Sequence, residues 1–295
     1  MSKLLDPKVL IAIKDLSLAA KTTIDGFMEG INKSTLKGPG MEFSQYRSYQ
    51  PGDDLRSLDW KMFARSDRYY IRESEIETNI SVRFLIDASH SMNHEDGGFT
   101  KIEYARFLAA SLGYLSSLQG DAVGLYIMQK GDVFSLKSKR DKQHLARFFY
   151  HLESIKPLGT FAEPIHYKNI FAGAQKKELL IFITDFYEHD DEILTMLHSL
   201  GNLKHEIVVF HLLGKNELEL DYAGYTTLED LETGETISIG NGTAEKIYQQ
   251  HLQERLSMIR SQLLNKNIFH RLLVMDEPLD KALRDFLNQR NKLRG

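Results

Sequence analysis

Cysteine is absent from all 295 residues. That excludes disulfides, zinc–thiolate sites and thiol catalysis, and it fits a reducing cytoplasm. Charge of one sign is not in excess: 37 Lys and Arg stand against 41 Asp and Glu, a formal net charge of −4. A general nucleic-acid binder would show a basic excess or stripe. The modest basic group Lys137-Ser138-Lys139-Arg140 reads as a solvated loop. Long hydrophobic runs are missing too. Met1 to Ala20 holds acidic residues and no apolar core of signal-peptide length, and no stretch is long enough to span a bilayer. A soluble, cytoplasmic protein is expected. Fingerprints of catalysis are lacking as well. There is no G-x-x-x-x-G-K-S/T phosphate loop, no G-x-G-x-x-G turn and no G-x-S-x-G elbow, and the 11 His fall in no ligand spacing.

What is present is an ordinary globular composition, 42% hydrophobic and 26% charged, in a chain long enough to bury a core unaided. From Ser81 the pattern alternates strands and helices. Strands are expected at Val82–Asp87, Val123–Met128, Leu179–Thr184, Glu206–Leu213 and Ile268–Met275, with Val133–Leu136 as an antiparallel edge after the turn Gln129–Asp132. Helices are expected from a Thr100/Glu103 capping box to Leu118, at Lys142–Leu152, at Phe161–Gln175, around Ile193–Leu200, at Thr243–Leu264 and after Pro278. This alternation implies an α/β fold with a mostly parallel, doubly wound sheet covered on both faces. Two segments break the rhythm. Residues 1–80 read as an N-terminal helix and a β-rich accessory segment. An insert at about 215–241, with β-like pieces at Glu219–Tyr222 and Thr233–Thr236, is expected to pack with it.

The chemistry concentrates in Phe84-Leu85-Ile86-Asp87-Ala88-Ser89-His90-Ser91-Met92. Beyond the apolar strand, alternate positions project the oxygens of Asp87, Ser89 and Ser91 toward one spot at its carboxyl end, where open α/β sheets place ligands. A second apolar strand stops at Asp185. Mg²⁺ takes six oxygens in near-octahedral geometry and usually keeps water. Here the hydroxyls would bind directly and the carboxylates through water. Thr160, in Pro157-Leu158-Gly159-Thr160, is the candidate hydroxyl from the intervening loop. The competing reading is structural, because Asp and Ser after a strand often form turns or helix caps, and Thr160 suits an N-cap. His90 should face away from the ion, and His189-Asp190-Asp191 should cap the next helix.

This arrangement resembles the metal-ion-dependent adhesion site of von Willebrand factor A domains, with Asp87, Ser89, Ser91, Thr160 and Asp185 in the five family positions and Thr184 matching the usual hydroxyl before the last Asp. A longer resemblance covers nearly the whole chain. Gly40-Met41-Glu42-Phe43, the run Arg47–Trp60, Ala64-Arg65 and Glu229–Gly234 are similar to a bacterial family, domain-of-unknown-function family fifty-eight. Its members pair a von Willebrand A-like domain with this preceding segment and accompany MoxR-type AAA+ ATPases. Many carry two transmembrane helices ahead of it, so this chain resembles the short soluble form. Within the segment, Pro51-Gly52 sets a turn, Asp53 or Asp54 can cap a helix, and Arg56, Asp59 and Arg65 are spaced for ion pairs. Trp60, the single Trp, is expected to anchor the segment. A structural cluster or a partner-binding motif would both satisfy these six residues.

The expected function is a non-enzymatic, metal-dependent protein-binding module. Mg²⁺, or another divalent ion such as Mn²⁺ or Ca²⁺, would be completed by a partner's Asp or Glu. The resemblance implies an adaptor or co-chaperone of a MoxR-type ATPase acting on protein clients during complex assembly or maturation. The alternative is a Mg²⁺-dependent phosphohydrolase with Asp87 as nucleophile. Such enzymes place a second Asp two residues on, where this chain has Ser89.

Overall fold

Apolar runs rich in β-branched residues and bounded by polar turns build the central sheet. The computed structural model describes residues 13, 15–33, 46–49, 63, 65, 68–72, 80–129, 132–162, 177–187, 191–202, 205–219, 227–229, 236–238 and 243–294. In chain order the helices are α1 (Leu16–Lys33), α2 (Lys101–Leu118), α3 (Lys142–Glu153), α4 (Glu192–Gly201), α5 (Lys215–Glu219), α6 (Thr243–Asn265) and α7 (Asp280–Arg294). The main sheet holds β3 (Ser81–Asp87), β6 (Ala122–Gln129), β7 (Asp132–Lys139), β8 (Leu179–Thr184), β9 (Glu206–Leu213) and β12 (Phe269–Val274), in the order β12-β9-β8-β3-β6-β7. All neighbours are parallel except β6 and β7, which form the expected antiparallel edge.

Side-chain alternation sorts the core into two layers. Phe84 and Ile86 of β3 point to the face covered by α1, α2, α3 and α7. Leu85 points to the other, where Ile193 and Leu197 of α4 and Ile259 and Leu263 of α6 close over it. Every residue of β8 is buried, which is why that strand reads as an uninterrupted apolar run. The capping box at Thr100 and Glu103 forms as expected. Helix α1 buries Leu16, Ala19, Ala20, Ile24 and Phe27 in the same core as α2 and packs on α2 and α3. It is therefore part of the helical layer on the sheet.

Other expectations shift. Among the described residues β1 (Tyr46–Ser48) pairs with β2 (Tyr70–Arg72) and β10 (Thr227–Glu229) with β11 (Thr236–Ser238), each as an antiparallel ribbon. β4 (Glu95–Asp96) and β5 (Phe99–Thr100) make a third, small hairpin. Glu219 ends helix α5 instead of beginning a strand. Phe161 and Ala162 are buried but not helical, and the rest of the helix expected there lies outside the described residues. Asp191 occupies the N-cap of α4 with a left-handed backbone, φ 53°, and makes no capping bond; its carboxylate pairs with Arg255 at 3.3 Å instead. Among the described residues no helix is long and apolar enough to cross a membrane.

Candidate metal centre

Because β6 and β8 flank β3 on opposite sides, the chain leaves β3 in one direction and returns in the other. The crevice past the carboxyl ends of β3 and β8 is thus a topological switch point, the place where such sheets bind ligands. Asp87 ends β3, and Asp185 follows β8 directly. After Asp87 the chain turns into a short 3-10 helix, His90–Asn93, that brings Ser89 and Ser91 back over the strand end. Thr184 stands one residue before Asp185 and faces Asp87.

The oxygens form a chain of contacts. Asp87 Oδ1 accepts from the Ser89 backbone N–H (3.0 Å) and hydroxyl (2.7 Å), and its Oδ2 accepts from Thr184 Oγ1 at 2.6 Å. Ser89 Oγ lies 3.0 Å from Ser91 Oγ, which donates to Asp185 Oδ1 at 3.2 Å. Octahedral Mg²⁺ with oxygens at about 2.1 Å sets neighbouring ligand atoms ~3 Å apart. The spacing of the two hydroxyls matches one edge of that octahedron, so these donors fit a small, hard cation. Carboxylates, hydroxyls and no sulfur are the donor chemistry that Mg²⁺ and Mn²⁺ prefer.

The Thr160 loop is stitched to this cluster by backbone. Leu158 N–H donates to Ala88 C=O at 2.9 Å, and His90 N–H donates to Gly159 C=O at 2.7 Å. Gly159 has φ 67°, a left-handed turn that its missing Cβ permits. Thr160 itself is half-buried, one residue beyond that contact. His90 is half-buried. Phe186 adopts φ 54°, unusual for an aromatic residue. The turn folds its N–H onto Thr184 Oγ1 (3.0 Å) and the Tyr187 N–H onto Asp185 Oδ1 (3.1 Å).

The two aspartates sit in unequal electrostatic surroundings. Burial, then the neighbouring Asp185 charge, push Asp87 up to about 7 against its bonds to Thr184 and Ser89. Burial also presses Asp185 upward, but the charge and hydrogen bond of Lys101, the Tyr187 N–H and His211 together hold that carboxyl below the ordinary value. Lys101 is 2% exposed, with Nζ 2.8 Å from both Asp185 Oδ2 and Glu217 Oε1. Burial would lower its pKa, yet the two carboxylates raise it, so the ammonium is fixed. His211 lies behind Asp185, with Nε2 3.1 Å from its main-chain oxygen and Nδ1 3.3 Å from His270 Nε2. Burial, then His270, lower its pKa to about 3, which keeps it neutral.

A family model described as "Protein of unknown function DUF58" matches residues 45–256. The chain belongs to this family. Uncharacterized proteins of Mycobacterium bovis and Mycobacterium tuberculosis are 24% identical over 234 residues, covering 78% of this chain and 73% of theirs. Among solved structures, an aerotolerance-related membrane protein from Bacteroides fragilis is similar at a TM-score of 0.50 and 16% identity, covering 72% of this chain and all of that one. BatB from Bacteroides thetaiotaomicron matches at 0.48 and 18%, and the SpRpn10 VWA domain at 0.41 and 11%, each over 72% of this chain. The DUF58 chain shares the fold of the Bacteroides fragilis protein, a mostly parallel sheet with helices on both faces.

In this DUF58 member, four of the five proposed ligand residues (Asp87, Ser89, Ser91 and Asp185) meet in one hydrogen-bonded cluster, and the Thr160 loop abuts it. Among the described residues no group of three or more His, Asp or Glu could hold a metal ion, so an ion at this cluster would draw on the hydroxyls. Of the accessory motif, Asp53, Asp54, Arg56, Asp59 and Trp60 lie outside the described residues, whereas Arg65 is exposed. Lys101 and Glu217 were not anticipated. Lys101 does leave a signal: it follows a Thr cap at the first position of a helix, where the macrodipole disfavours a cation. Glu217 leaves none, because its role exists only once β9 is placed beside β8.

Proposed function

We propose that this protein is a cytoplasmic, non-enzymatic binding module that engages partner proteins through a divalent cation held by Asp87, Ser89, Ser91, Thr160 and Asp185. In this reading the ion is Mg²⁺ or a similar hard cation, and a partner's Asp or Glu fills its remaining position. The bound ion would supply a Lewis-acidic point for that carboxylate. The chain's own residues do the rest: the serines offer neutral oxygens, Thr184 and Ser89 orient Asp87, and the Tyr187 backbone N–H orients Asp185. The observation that carries the reading is the 3.0 Å approach of the Ser89 and Ser91 hydroxyls between two buried carboxylates.

Adaptor or co-chaperone action beside a MoxR-type AAA+ ATPase follows from the family resemblance. The burial of Asp87 supports a binding role over a phosphohydrolase one. Its side chain is buried with three hydrogen bonds on its two oxygens, and the second carboxylate such an enzyme needs two residues on is Ser89 here. The test is capture of a MoxR-type ATPase and protein clients with wild type and Asp87→Asn, in Mg²⁺ and in EDTA. Partners should be retained by wild type in Mg²⁺ and lost in EDTA or with the variant. Equal capture under all conditions refutes the metal-dependent mode.

A further inference from the structure

The Lys101 ammonium sits where a metal site would ordinarily avoid a cation. One oxygen of Asp185 faces the hydroxyl cluster and the other faces Lys101, so a single carboxylate bridges the proposed ion position and an ammonium. Glu217 meets Lys101 from α5 with one oxygen, while its second oxygen accepts the Gly214 backbone N–H at 2.6 Å. That bond ties Glu217 to the turn between β9 and α5. Lys101 is enclosed, 2% exposed, and starts α2, where the helix dipole opposes its charge. Among the described residues, the two carboxylates are what make its burial tolerable.

We propose that Lys101 is a resident cation of the site: it competes with the divalent ion for Asp185, and Glu217 sets the balance by drawing the ammonium toward α5. This rests on the metal-binding reading above. Like charges repel strongly in a buried crevice, so an ion beside the Ser89 and Ser91 hydroxyls feels the ammonium across Asp185. With Glu217 in place, Lys101 shares itself between two anions and leaves Asp185 partly available. Without Glu217, Lys101 belongs to Asp185 alone. The affinity of the site is thereby linked to the position of α5, an element outside the ligand loops.

Mn²⁺ titration followed by electron paramagnetic resonance tests this on wild type, Lys101→Met, Lys101→Arg, Glu217→Gln and the Lys101→Met/Glu217→Gln pair, with thermal melts on each. Lys101→Met should bind Mn²⁺ at least tenfold more tightly, Glu217→Gln severalfold more weakly, and Lys101→Arg close to wild type. A purely structural Lys101 cannot produce tightening. Should Lys101→Met not fold, the double variant removes opposite charges together and must still bind more tightly than Glu217→Gln alone. Binding by wild type with no gain in either Lys101→Met background overturns the competition and leaves the metal reading standing. Binding by the double variant but not wild type supports the competition, with Lys101 excluding the ion outright, and removes the metal reading for the natural protein. Silence in every variant overturns both.

Discussion

Asp87 is pulled in two directions, since burial favours its neutral form while a bound cation requires its anion. If the proposed ion binds, it must expel a proton wherever the metal-free carboxyl is protonated. With the metal-free value at about 7, Mg²⁺ affinity should rise about tenfold per pH unit below 7 and flatten above it. Stability follows the same linkage. Asp87 is raised from 3.8 in the folded state, so its contribution is intact below pH 4 and is lost as pH climbs to about 7. In EDTA the protein should therefore melt progressively lower across that window, and Mg²⁺ should restore more at pH 8 than at pH 5.5. Melts of Asp87→Asn should lack this dependence; a Mg²⁺ effect equal at both pH values contradicts the assignment. The ligand candidates were legible in the sequence because period two and an abrupt strand end are local properties. The pairing of Lys101 was not, since its partners arrive from the end of β8 and from α5, 84 and 116 residues away.

At the scale of elements, α2 decides how closely the helical layer can approach. It is buried on nearly all sides, between the sheet, α1 and α3. Gly113 faces α3, and a Cβ there would stand 2.6 Å from Phe148 Cε1. Phe148 cannot easily yield, as its ring centroid lies 5.4 Å from that of Phe84 and 5.9 Å from that of Phe149. Helix propensity alone would make Gly113→Ala stabilising by about 1 kcal/mol. Overpacking should instead make it destabilising by roughly 1–3 kcal/mol in urea unfolding, with Phe148→Leu restoring part of the loss. A stabilised Gly113→Ala would show that the two helices are looser than described. The capping box gives a second measure: Thr100→Ala should cost about 1 kcal/mol, and it loosens the turn that carries Lys101. Helix starts and strand runs were readable from caps and periodicity. The 3-10 turn at His90–Asn93 and the short helix α5 carry too few residues for any period to show.

The whole molecule separates its two ends. At the carboxyl edge of the sheet lie the oxygens of the candidate centre. At the opposite edge, Arg290 of α7 enters the interior and pairs with Asp121, which precedes β6 and also accepts the Ile80 backbone N–H ahead of β3. Arg290 is 1% exposed, so Arg290→Met strands a buried carboxylate and should cost roughly 3–5 kcal/mol. Because that lock is remote from β3's carboxyl end, the folded fraction of Arg290→Met should bind Mn²⁺ as wild type does. Altered affinity in calorimetry would mean that the two edges communicate. A sheet wound in both directions was legible from strand–helix alternation, which reflects burial on two faces. The location of the N-terminal helix was not, because its apolar stripe names no partner and its contacts with α2 and α3 lie far along the chain.

The central claim, that these loops converge on one divalent cation, is tested most directly by anomalous diffraction from crystals soaked in Mn²⁺. The account predicts a single strong peak per chain within ~2.3 Å of both the Ser89 and Ser91 hydroxyls, and no such peak in Asp87→Asn crystals. Wild-type crystals with no peak there, or with manganese bound only elsewhere, would contradict it.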